Sequence, residues 1–182
     1  MTKVLTFSRT FPAFHPKAGE PTYFVEKLTK GFPEYSAEDF TPIKGDLRKD
    51  LFSLIPLALD LWTSFHPKYH TIRAGHNWKV GDMFSPRVWS GKPYNSPQIT
   101  IAPDIRVEKV WKFEIKIYTH PELVAPQAAA YIEDVPVIGN KYFELAKNDG
   151  LSHVDLIHWI QPKGIPTEFS GQIICWNKNI EY

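Results

Sequence analysis

The sequence predicts an α+β fold, with a mostly antiparallel sheet or small barrel and a few short helices kept apart from the strands. Three observations carry this. Trp111, Phe113, Ile115 and Ile117 alternate with Lys112, Glu114, Lys116 and Tyr118, the period-two pattern of a strand with one buried face and one wet face. Helix start and stop signals gather instead in the last third, where Asn140 precedes a run ending at Gly150 and Ser152 stands three residues before Asp155 as in a capping box. Sixteen prolines and ten glycines imply many defined turns and few long helices.

In chain order, Val4, Leu5 and Phe7 read as an opening strand, followed by a loop through Pro12, His15, Pro16 and Gly19. Pro21-Thr22 opens a helix, with Tyr23, Phe24, Lys27 and Leu28 at helical spacing until Gly31 stops it. Leu51, Leu54, Ile55, Leu57, Leu59 and Leu61 fit a buried helix interrupted at Pro56, although periodicity alone does not separate a helix from another apolar packing segment. Thr71-Ile72-Arg73 is a short strand and Val80-Gly81-Asp82 a turn. Met83 to Trp89 and Gln98 to Ala102 are strands flanking a loop with Gly91, Pro93, Asn95 and Pro97. Pro121 to Gly139 has no decisive period and is expected as a loop with one helical turn. Asn140 then caps a helix through Asn148, with Phe143 and Ala146 inward, and Ser152 opens another to Trp159 that Pro162 closes. Gln172 to Trp176 is the last strand.

At 182 residues the chain is long enough for one domain with a core that needs no disulfides. A hydrophobic fraction of 43%, a charged fraction of 23% and a mean hydropathy of -0.29 exclude a wholly disordered chain and a membrane-embedded one. The formal charge of +1 gives no whole-molecule field toward nucleic acid or anionic lipid. Cys175 is the single cysteine, which rules out an intramolecular disulfide and points to a reducing, cytoplasmic setting. Its place in the last strand suggests packing. The first residues lack a signal-peptide core, and no stretch approaches the ~20 apolar residues of a membrane span. The G-x-S-x-G elbow, the phosphate-binding P-loop and the G-x-G-x-x-G turn are absent. His66, His70 and His76 are close in sequence, but His70 is predicted on a strand and no helix carries a His-x-x-x-His pair, so neither a metal nor another cofactor is expected.

Charge is nonetheless uneven. Between Thr63 and Thr119 nine basic residues face four acidic ones. Tyr69, Trp78, Trp89, Tyr94 and Trp111 are interleaved with bases such as Arg87, the mixture of cations and flat rings found in single-stranded nucleic-acid sites. Lysines alternating with aromatics also mark any amphipathic strand. Within this segment, Thr71 and Arg73 share one face of a strand and Lys68, in the turn after Pro67, can curl back over them. Those three groups would form a cationic pocket with a potential nucleophile, or an ordinary polar surface. Asp149, an acid at the negative end of a helix dipole, is either a solvated loop residue or kept for another purpose.

Lys68, Thr71 and Arg73 resemble the K-x-x-T-x-R core of the ASCH superfamily's G-x-K-x-x-T-x-R motif, and Gly81-Asp82 is similar to the G-D turn that follows it. His66 stands at the motif's glycine position. The resemblance covers about Thr63 to Thr119, Lys141 to Trp176 and the first strand. It implies one PUA-like domain over residues 1–182, a mostly antiparallel β-barrel with flanking helices; it does not explain about 10–62 and 120–140, which are read from the residues as a helical extension and an insertion. It further implies binding of RNA or a modified nucleoside in a cleft lined by Lys68, Thr71 and Arg73; the interleaved bases and rings offer Trp78, Arg87 and Trp89 as further ligand contacts. The alternative it carries is an amidohydrolase acting on acylated cytidine, in which Thr71 is the nucleophile, Lys68 its base, and Asp149 fills the place of a glutamate one methylene longer.

Overall fold

The computed structural model describes residues 2–32, 64–118, 127–161 and 167–182. Its strands are β1 (Lys3–Thr6), β2 (His70–Ala74), β3 (Met83–Trp89), β4 (Gln98–Thr100), β5 (Ile105–Arg106), β6 (Lys109–Tyr118), β7 (Gln127–Ile132), β8 (Val135–Val137) and β9 (Thr167–Cys175). The helices among the described residues are α1 (Phe24–Lys30), α2 (Asn140–Asn148) and α3 (His153–Ile160).

The strands form two open sheets. One has β3 between parallel β1 and antiparallel β4, with β5 also on β3. The ladder beside β3 breaks between Thr100 and Ile105, opposite Pro86, whose carbonyl accepts from Ile101 N but which has no N–H to donate. The other sheet runs β2-β9-β6-β7-β8 and is antiparallel throughout. Phe113, Ile115 and Ile117 of β6 are buried as their alternation requires and pack with Leu145 and Ile157 of α2 and α3. A second apolar cluster joins β1 and β3 to α1 through Leu5, Phe84, Val88 and Leu28. Ile72, Tyr142 and Ile160 touch both clusters, so the two sheets meet over β2, α2 and α3.

The closed PUA-like barrel is therefore corrected to two separate open sheets. β1 is an edge of the first and β2 an edge of the second, and no strand ladder joins them. The expected loop before α2 is also corrected. Gln127–Ile132 and Val135–Val137 form a hairpin whose turn, Glu133-Asp134, has both residues at positive φ. Its alanines hid the strand, since Ala has little β-propensity of its own and is held here by pairing with β6. In α2 Leu145 and Ala146 face inward, while Phe143 is half exposed against His153. The expected Ser152 cap of α3 is present, its Oγ accepting from Asp155 N at 3.0 Å and donating to Asp155 Oδ2 at 2.7 Å. The helix expected over Leu51 to Leu61, and most of the 10–62 extension, lie outside the described residues. No helix among the described residues is long and apolar enough to cross a membrane.

Candidate functional site

Where the two sheet edges approach, a cavity of about 500 Å³ opens between β1, β2 and the loop after β3. Its floor is Lys68. The loop carrying this residue is pinned from both sides, Lys68 N donating to Lys27 O and Tyr69 N to Asn148 O, each at 2.8 Å. The Lys68 carbonyl accepts from Trp176 Nε1 at 3.1 Å. The side chain is 1% exposed and gives two hydrogen bonds to one residue, the carbonyl of Asp149 and, at 2.7 Å, its Oδ1. The Nζ also lies 4.6 Å from the centre of the Phe24 ring.

Asp149 sits at the C-cap of α2, where the helix ends and turns through Gly150 at φ +80. That glycine conformation lets the chain pass against the stems of Lys27 and Lys68, which a Cβ would touch at 3.4 Å. Asp149 Oδ1 accepts from Ile72 N at 3.3 Å and lies 3.6 Å from His70 Nδ1. Burial pushes the Lys68 amine down to about 8, and the nearby Asp149 carboxylate limits the drop. Burial also raises Asp149, against the pull of Lys68 and Arg73. Burial, then the charge of Lys68, holds His70 well below its ordinary range, and neither ring nitrogen of this histidine has a hydrogen-bond partner among the described residues.

Strand parity places Thr71 and Arg73 on the cavity side of β2, with His70 turned away against Tyr182. The Arg73 guanidinium ties the two sheet edges, Nη2 donating to Thr6 O at 2.6 Å. Its Nε is buried without a partner among the described residues, and its carbon lies 5.6 Å from the Phe7 ring centre. Trp89 and Tyr94 face each other across the mouth at 5.3 Å, and Arg9 adds a further cation to the lining.

Of the residues singled out in the sequence, Lys68, Thr71, Arg73, Trp89 and Asp149 line this one cavity; Trp78 and Arg87 do not. Trp78 packs edge-on against Phe84 under Lys3, and Arg87 reaches Ser85 and Gln98. Sequence reasoning missed Arg9, Phe7, Phe24 and Trp159, which lie outside the motif segment. It read Gly31 only as a helix stop, although the Lys68 carbonyl passes directly over its Cα.

Three lysines of the basic segment are paired with acids. Lys112 pairs with Asp134 at 2.7 Å and Glu114 at 3.2 Å, Lys116 with Glu168 at 3.2 Å, and Lys109 with Glu181. Acids contributed by β9, the hairpin turn and the last residues thus neutralise the lysines of β6, a cancellation invisible within the segment itself.

No family model, no curated protein and no solved structure matches the chain. With the sheets open, this overturns the ASCH resemblance, and with it the RNA- or nucleoside-binding domain and the amidohydrolase it implied. The local geometry agrees. The Lys68 amine is hydrogen-bonded to Asp149, not to Thr71, so the expected base and nucleophile are not joined.

Proposed function

We propose that the chain binds a small aromatic acid in the cavity between β1 and β2. The observation that carries this reading is Arg73, a partly buried guanidinium with a buried Nε that lines the cavity and gives the protein only Nη2 among the described residues, leaving donors for an anion. Charge supports it. Arg9, Lys68 and Arg73 outnumber Asp149, so a carboxylate or phosphate entering the cavity meets an excess of positive charge in a partly desolvated space. Phe7, Phe24, Trp89 and Trp159 supply flat apolar walls for the body of such a ligand, and the volume suits a small molecule.

Titration calorimetry with benzoate, 3-phenylpropionate and phenyl phosphate, each beside a neutral analogue such as 3-phenylpropionamide, tests this. The acids bind at least about tenfold more tightly than the neutral analogues, and Arg73→Gln removes the difference. Equal affinity for acid and amide, or binding unaffected by Arg73→Gln in a folded protein, overturns the proposal.

A further inference from the structure

We infer that Lys68 forms an imine with the ligand's carbonyl group, so that the favoured aromatic acid is a 2-oxo acid, anchored through its carboxylate by Arg73. This rests on the reading of the cavity as an aromatic-acid site and names the ligand class more closely. A 2-oxo acid carries its ketone on the carbon next to the carboxylate, and β2 brings Arg73 into the same cavity as a primary amine. That amine is unusual in being buried, lining a cavity, and held 2.7 Å from one carboxylate rather than in water. Burial destabilises both charged forms of the Lys68–Asp149 pair, pulling the lysine down and the aspartate up. The pair is thus poised to exchange a proton and present a neutral amine beside a carboxylic acid, as imine formation requires.

The atoms balance without a further reactant. The Lys68 ammonium passes one proton to Asp149, and its lone pair then forms the N–C bond while the carbonyl π pair moves to oxygen. Asp149 returns the proton to that oxygen, giving a carbinolamine. Asp149 next takes a proton from the nitrogen and delivers it to the hydroxyl, which leaves as water while the nitrogen lone pair forms the C=N bond. Ammonium plus ketone become a protonated imine plus water. Thr71, whose hydroxyl has no partner among the described residues, lies in the same lining and can hydrogen-bond the carbinolamine oxygen. Lys27 is the internal comparison: burial lowers its amine too, but its Nζ donates to the carbonyls of Thr22 and Gly150 and pairs with no carboxylate among the described residues.

Phenylpyruvate with sodium cyanoborohydride tests this on the full chain. Intact mass is expected to rise by the mass of the acid less one oxygen, in a one-to-one adduct. Peptide mapping is expected to place it on Lys68 at least about tenfold above Lys27 or any other lysine, because Lys68 lines the cavity beside a carboxyl that can take its proton. Excess 3-phenylpropionate, which has the carboxylate and ring but no ketone, blocks the labelling, and Lys68→Arg abolishes it. Mapping of the unaltered protein carries the test if that variant fails to fold. No adduct, or labelling spread over surface lysines, while 3-phenylpropionate still binds overturns the imine and leaves the aromatic-acid reading standing. Failure of 3-phenylpropionate to bind overturns both.

Discussion

The backbone carbonyl of Lys68 occupies the space that a side chain on Gly31 would need. Gly31 has an ordinary φ of -84, so the requirement is for room and not for a left-handed backbone. Because the obstructing atoms are backbone, and this backbone is held by Lys27 and Trp176, it has little freedom to move away. Gly31→Ala is expected to destabilise the protein by about 1–3 kcal/mol, as an overpacked interior does, and to weaken ligand binding by displacing the Lys68 loop. Urea denaturation reads the first effect and calorimetry the second. A variant as stable as the parent and equally competent to bind would show that the loop is not held as described.

The Lys68–Asp149 pair has a distinct signature in a double-mutant cycle. Removing either partner leaves the other buried and uncompensated, so Lys68→Met and Asp149→Leu should each cost about 3–5 kcal/mol. Lys68→Met combined with Asp149→Leu should recover most of that loss while binding of aromatic acids remains impaired. Additive costs in the double variant would mean that the two side chains stabilise the fold independently.

The sequence made the strand framework legible where one face is wet and the other dry, as in β6, and made α3 legible through its Ser152 cap. It failed at β7, whose Gln127, Ala128, Ala129 and Ala130 derive strand structure from their partner, not from their own preference. Lys68, Thr71, Arg73 and Asp149 were visible as chemistry, yet their family resemblance led to a closed barrel the fold does not have. Nothing local in a sequence says whether β1 and β2 are joined by a ladder or, as here, by one arginine reaching a carbonyl. The aromatic walls and Arg9 were missed because they come from segments far from the motif.

Stability is expected to fall on acidification below pH 6.5. His15, His66 and His70 all have folded-state pKa values lowered from 6.5, burial being the largest cause in each. At these three histidines the unfolded chain therefore binds more protons below 6.5 than the folded one, so their protonation favours unfolding as pH drops, while the raised carboxyls of Glu26 and Asp149 act in the opposite sense. For His70, fully buried and far down-shifted, the loss continues as the pH falls further below 6.5. His70→Leu removes two ring nitrogens without a hydrogen-bond partner among the described residues and should flatten the profile, with little loss at pH 7.5. Urea titrations across this range check it; an unchanged slope would mean that His70 is protonated in the folded state.

Tyr94 presents the opposite case, an exposed residue whose value lies in the ligand and not in stability. It is 87% exposed, lines the cavity mouth, and holds φ at 65, a left-handed conformation that an aromatic residue adopts at a cost. Its ring meets Trp89 at 5.3 Å, so a flat ligand entering the cavity reaches both. Tyr94→Asn keeps a residue tolerant of that backbone and removes only the ring. Stability should then change by less than about 0.5 kcal/mol. Affinity for 3-phenylpropionate should fall by about 0.5–1.5 kcal/mol, the worth of one aromatic contact, whereas affinity for propionate, which has no ring, should not change. Tyr94→Phe should bind as the parent does. Trp89 fluorescence, perturbed by 3-phenylpropionate but not by propionate, provides the second reading. Equal losses for both acids would place the effect of Tyr94 in the shape of the loop, and no loss for either would remove it from the mouth of the site.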